Sequence, residues 1–301
     1  EWFWRAKEYG GDWGNSWRFT ILESLSSPDD FVITVKTDNP GSSSDNTFNI
    51  PTYGLGYNFN VDCNYDGVYD ALAQTSDYAC VYDTPGTYTI RISDNNGNNT
   101  GFPRIYFNNE GDKDKLLTIQ QWGTGKWTAL QNAFYGCSNL TVSASDTPDL
   151  GYVADMSNMF NGVQNFNTDI ENWSTVVVSN LNGAFANSGF NQNLGGWHVA
   201  SLTSAANMFE NASLSTTNYD ALLTGWNSQT LQNDVVFNAG NSTYCQAANA
   251  RNNMTSSAAY NWTITDGGSV CSSLEAPTLS TPADNSSSYQ RTPVFDWEDV
   301  N

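Results

Sequence analysis

Asp62, Asn64, Asp66 and Asp70 set oxygen-bearing side chains at positions one, three, five and nine of a loop whose sixth residue is Gly67. That is the first half of a twelve-residue calcium loop, in which hard oxygen donors surround a hard cation and the glycine permits the sharp turn. The twelfth position, where a bidentate glutamate would close the coordination sphere, is Ala73. A plainer reading, an Asx-rich hairpin turn with Gly67 at positive φ, outweighs structural calcium. Other chemistry is sparse. His198 is the sole histidine, so any triad would have to use it, and no nucleophile elbow accompanies it. Asp155, Asp169, Glu171 and Glu210 could line one edge as a glycosidase needs, but a solvated acidic face accounts for them better. No catalytic residue is assigned and the chain is read as a non-enzyme, with a carbohydrate-active enzyme the remote alternative.

The five cysteines divide by position. Cys63 and Cys80 flank a short loop, Cys245 and Cys271 flank a tail, and two such local pairs suggest two disulfides and an oxidising compartment. Cys137 is left over, as a buried small hydrophobe or, in the sharper reading, an intermolecular bridge.

Composition narrows the partners. Lys and Arg total 11 against 31 Asp and Glu, a formal charge of -20. Such a surface repels phosphate backbones, which argues against nucleic acid, and anionic membranes. No apolar run long enough to span a bilayer occurs, so no membrane insertion is expected within this segment. The chain opens on Glu1, not methionine, as expected of a mature fragment or one segment of something longer.

The elements that would carry these residues are ordered by a repeat. Phe134, Phe160, Phe185 and Phe209 each end a similar short segment, at spacings of 26, 25 and 24 residues. Trp122, Trp173 and Trp197 each lie 12 residues before a Phe, and Pro148 stands there in the second copy. A unit this short cannot bury its own apolar side, so copies must stack, Phe on Phe and Trp on Trp. Asn132, Asn158, Asn182 and Asn207 recur in the turns and suit a ladder of bonds to neighbouring backbone. Phe102, Ile105 and Phe107 would cap the first copy. Thr216 onward reads as a helix with a threonine N-cap, carrying Tyr219, Leu222, Leu223 and Trp226 on one face.

The segments DMSNMFNGVQNFNTDIENWSTVVVSNLNGAF and NQNLGGWHVASLTSAANMF resemble the repeats of BspA-like leucine-rich-repeat surface proteins. The resemblance implies a solenoid over 111–271 with a C-terminal cap, an extracellular setting, and a structural or binding role without catalytic residues. VDCNYDGVYD followed by YDTPGTYTIRI resembles polycystic-kidney-disease-type (PKD) immunoglobulin-like sandwiches, which implies such a domain over 26–110. Within it, a Cys63–Cys80 bridge would tie two adjacent strands. Residues 1–25, with Trp2, Trp4 and Trp17, resemble the closing strands of a fibronectin type III or immunoglobulin-like domain. Residues 272–301, with Phe295 and Trp297, resemble a linker and the opening strands of one.

The expected fold is therefore multidomain and mainly β: a PKD-like sandwich, then a leucine-rich-repeat solenoid, flanked by partial fibronectin-like strands. The expected function is a segment of a secreted or cell-surface structural protein. Complementary ends suggest a tandem chain or copies of itself joined head to tail in a filament. The alternative is an adhesion module binding surface glycans or proteins without polymerising.

Overall fold

The computed structural model describes residues 27–271, together with the backbone of β1 (Trp4–Glu8) and β2 (Trp17–Ile21). Trp2, Phe295 and Trp297 lie outside the described residues. β1 and β2 pair antiparallel, with Trp4 opposite Ile21 and Trp17 opposite Glu8. The chain divides into Glu1–Val270 and a second unit, Cys271–Asn301, of which Cys271 is described.

The molecule is mainly β, with several sheets. Alternating apolar residues build β3 (Phe31–Lys36), β4 (Thr47–Ile50), β5 (Phe59–Asp62), β6 (Ala71–Gln74), β7 (Tyr78–Val81) and β8 (Thr87–Asp94). β3, β8, β5 and β6 lie in one sheet, while β4 and β7 form a separate pair. Ile33, Val35, Phe48, Ile50, Phe59, Val61 and Ile90 are all fully buried, as alternation demands where one face of each strand meets a core.

Cys63 and Cys80 are bonded, with Cα atoms 5.6 Å apart. The expectation that this bridge ties neighbouring strands is corrected. Cys63 follows β5 of the larger sheet and Cys80 lies in β7 of the smaller one, so the bond joins sheet to sheet. Cys245 and Cys271 are also disulfide-bonded, and Cys137 is free and buried.

β9 (Leu116–Gln121) runs antiparallel to β3 and parallel to β10 (Thr141–Val142). It lies between β3 and β10 in the six-stranded sheet and opens the repeat region, so the two regions share a strand. Residues 107–109 also donate three backbone bonds to the first repeat, Phe107 N to Ala133 O, Asn108 N to Asn132 O and Asn109 N to Tyr135 O.

From there each copy is a tight turn laid on the next. Backbone N–H groups of one turn donate to carbonyls of the next: Phe134 to Met159, Phe160 to Ala184, Phe185 to Met208 and Phe209 to Asn238. Bonds such as Ala133 N to Leu130 O and Ala184 N to Leu181 O, three residues back, make each turn 3₁₀-like. Two residues after the Phe, the left-handed position is filled in successive copies by Gly136, Gly162, Asn187 and Asn211, with φ of 81°, 77°, 53° and 56°. Those are the residue types that enter this region at least strain, which explains why Gly and Asn alternate at one place in the pattern.

The stack ends on α1 (Thr216–Asn227), β11 (Val236–Asn238), α2 (Ala248–Thr255) and β12 (Thr263–Thr265), with β11 and β12 parallel. The α1 face is buried as expected, but its N-cap is Ser215, whose side chain accepts from Asn218 N at 3.3 Å, not a threonine.

Candidate functional site

The phenylalanine ladder is continuous. Ring centroids are 5.5 Å apart from Phe134 to Phe160, 6.1 Å from Phe160 to Phe185 and 5.5 Å from Phe185 to Phe209, with ring planes nearly parallel. A second row, Phe166 and Phe190, inserts beside it, 3.9 Å from Phe160 and 4.4 Å from Phe185. These two also recur 24 residues apart, a signal present in the sequence but masked by the stronger one.

The expected tryptophan ladder needs correcting. Trp122 reaches past the Pro148 copy to meet Trp173 edge-to-face at 5.4 Å, and Trp197 leans instead on Phe185 at 6.0 Å. Trp197 Nε1 donates to Ile170 O at 2.9 Å, and Trp226 Nε1 to Leu194 O at 2.9 Å. Through these two bonds the Trp197 and Trp226 indoles stitch one coil to the last.

The asparagines form two partial ladders. Asn158 Nδ2 donates to Asn132 Oδ1 at 3.0 Å, and Asn182 Oδ1 accepts from Asn207 N at 3.1 Å. Asn161, Asn187 and Asn211, which the sequence reading passed over, form an unbroken chain with two bonds of 3.0 Å.

His198 is exposed, and its carbonyl accepts from Thr175 Oγ1. Asp155 Oδ1 accepts from Ser157 N and Asn180 Nδ2, Asp169 Oδ1 accepts from Glu171 N, and Glu210 is exposed. Glu171 lines a groove of about 630 Å³ with Asp220. Glu171 Oε1 is held by Asn193 at 2.6 Å, and Asp220 accepts three backbone N–H groups from Cys245, Gln246 and Ala247. Those bonds place Asp220 as a clamp on the tail.

The loop from Asp62 to Asp70 turns its carboxylates inward. Asp62 is fully buried, accepts from Asp66 N and Gly67 N, and lies 3.3 Å from Arg91 Nη2. Asp70 Oδ2 accepts from Cys63 N at 2.7 Å, Asp66 Oδ1 accepts from Val68 N, and Asn64 is exposed. Among the described residues no group of three or more acidic, His or Cys side chains is arranged to hold a metal. The Asp62 carboxylate is thereby engaged by a guanidinium and by the loop's own backbone.

Arg91 joins Asp62 and Asp30 as a third buried charged side chain at this corner. Its Nη1 lies 3.6 Å from Asp30 Oδ2 and its guanidinium stands 4.6 Å over the Tyr69 ring. Asp30 and Arg91 are 4% and 7% exposed. Nothing in the sequence marked them, since residues 30, 62 and 91 come together only when β3, β5 and β8 pair.

Burial pushes the Asp30 carboxyl up from its ordinary 3.8 to about 6, against the pull of Arg91. A carboxyl that binds its proton more tightly folded than unfolded stabilises the fold below its unfolded value, and that stability is lost as pH rises through the folded value. We expect this one site to make the protein about 3 kcal/mol less stable at pH 7 than at pH 3. Asp30→Asn should remove the slope between pH 4 and 6. Urea unfolding across that range checks this, and a wild-type-minus-variant difference that is flat with pH would refute it.

A second buried charge sits at the junction. Lys115 is fully buried, and its Nζ donates to Ser43 O, Ser44 O and Thr47 O at 3.1, 2.8 and 2.9 Å and lies 3.9 Å from Asp112 Oδ1. Asp112 accepts from Ser43 N and Asn49 N at 3.0 and 2.8 Å. The pair pins the β3–β4 loop to the 3₁₀ turn Lys113–Lys115 that leads into β9.

No curated protein and no solved structure matches the chain. The family described as "Mycoplasma protein of unknown function, DUF285" matches residues 110–251, the stretch from the last residue before the repeats to α2.

Proposed function

We propose that this chain is a segment of a secreted or cell-surface structural protein, in which a PKD-like sandwich and a BspA-type leucine-rich-repeat solenoid act as one stiff module. The observation that carries this reading is β9. It pairs with β3 of the sandwich on one side and with β10 of the repeats on the other, so no flexible linker separates them. Two disulfides favour an oxidising, extracellular setting. Stacked repeats suit an extended role because each coil touches only its neighbours and length grows without a larger core. Among the described residues, no helix is long and apolar enough to cross a membrane. Copies of the chain joined end to end would extend the same module into a fibre.

Immunogold electron microscopy of intact source cells, with antibody raised against the folded chain, tests the reading. Gold on the outer surface, along extended fibres or a continuous layer, is expected. Label that appears only after the cells are opened would overturn it.

A further inference from the structure

A pocket of about 530 Å³ opens at the end of the sandwich, between the segment entering β3 and the turn that follows β8. Its volume falls in the range of sites that take small ligands. Asp30 and Arg91 both line it, and both are more than nine-tenths buried. Among the described residues, Asp30 Oδ2 accepts no hydrogen bond and Arg91 Nε makes none. Native proteins leave few buried polar atoms in this condition, and such atoms need an explanation. Here an orphan acceptor and an orphan donor belong to two residues 3.6 Å apart that line the same pocket.

We propose that this pocket binds a neutral, hydroxyl-rich ligand, the sugar rings of a glycan, through Asp30 and Arg91. One hydroxyl donates to Asp30 Oδ2 while a hydroxyl oxygen accepts from Arg91 Nε, so a polyol satisfies both orphans with one kind of group. Charge selects against the other classes. Asp29 and Asp94 also line the pocket, so the walls carry three carboxylates against one guanidinium and disfavour an anion. A compact cation would lie beside Arg91, and two of the three carboxylates it would need, Asp29 and Asp94, are already engaged. Asp94 accepts from Gly97 N and Asn99 N, and Asp29 Oδ1 from Thr124 Oγ1. The Tyr69 ring lies 4.6 Å from the guanidinium on one side, while Asp62 holds its Nη2 at 3.3 Å. Arg91 is therefore organised before a ligand arrives, which reduces the ordering cost of binding.

A smaller cavity of about 20 Å³ shares Asp29, Asp94 and Asn99 with this pocket and is walled by Trp122 and Trp127. Both indole N–H groups there lack partners among the described residues. That space suits a single water, so the unmet polarity of this corner extends from the sandwich to the first coil of the repeats.

The test uses the whole chain on a printed array of neutral oligosaccharides (glucan, mannan, galactan and chitin fragments), with sialylated and amine-bearing glycans alongside. Titration calorimetry with the best-retained oligosaccharide then compares wild type with two variants. Asp30→Ala removes the orphan acceptor. Pro28→Trp, at an exposed lining position, blocks the mouth without touching the buried charges and decides the matter if Asp30→Ala does not fold. Retention of a neutral oligosaccharide, weakened at least tenfold by each folded variant, is expected. No neutral oligosaccharide retained, retention confined to charged glycans, or equal affinity in Pro28→Trp would each overturn the proposal. Because the array reads the purified protein and immunogold labelling reads the cell, failure here is distinct from failure of the surface role.

Discussion

Replacing Phe185 with alanine should lower the free energy of unfolding by about 3–5 kcal/mol, the range for emptying a large aromatic from a core. Phe185 is fully buried in the middle of the ladder, with Phe160 at 6.1 Å on one side and Phe209 at 5.5 Å on the other. Phe190 and Trp197 close the remaining sides at 4.4 and 6.0 Å. The cavity cannot collapse easily. Phe160 N donates to Ala184 O and Phe185 N to Met208 O, so the coils above and below hold the backbone in place. In a stack where each coil leans only on its neighbours, a central defect also weakens two interfaces at once. Urea unfolding followed by tryptophan fluorescence would measure it. A loss below about 1 kcal/mol would mean that Phe185 is not a ladder residue.

Asp112→Ala should be comparably severe, at about 3–5 kcal/mol, because it strands a fully buried ammonium without its carboxylate. Lys115 would keep three carbonyls and the Ser43 hydroxyl, which lies 2.8 Å from Nζ, but no anion. The variant also frees Ser43 N and Asn49 N, two half-buried donors that now end on Asp112. Adding Lys115→Met to Asp112→Ala should recover part of the loss, since removing both members of a buried pair is often far milder than removing one. Urea unfolding of the two single variants and the double variant gives the coupling energy directly. If the double variant is no more stable than Asp112→Ala, the ammonium is not the source of the cost. These two residues tie the β3–β4 loop to the turn that starts β9, and β9 pairs with β3 on one side and with β10 on the other.

The repeat region was legible because its information is local and periodic. One Phe in each 24 to 26 residues, with a Trp 12 before it in three of the four copies, is enough to place Phe134, Phe160, Phe185 and Phe209 in one line, since a stacked coil returns the same position to the same face. The helix over Thr216–Asn227 could be read for the same reason: Tyr219, Leu222, Leu223 and Trp226 sit at helical spacing and are all buried.

Tertiary structure decided everything that depends on two distant positions meeting. Asp62 looked like a cation ligand because its neighbours in sequence carry oxygen, but strand pairing brings Arg91 to its carboxylate, and a guanidinium at 3.3 Å outranks a spacing rule. Asp30 and Arg91 have no periodic or motif signature, and their pocket exists only once β3, β5 and β8 lie side by side. The same holds for Lys115, which reads as one surface lysine in a charged run and is buried because loop carbonyls about 70 residues earlier close over it. Even the Cys63–Cys80 bond changed meaning, from a staple along one sheet to a bridge between two, because sequence separation tells how much chain a bridge encloses and not which strands the fold will set on either side of it.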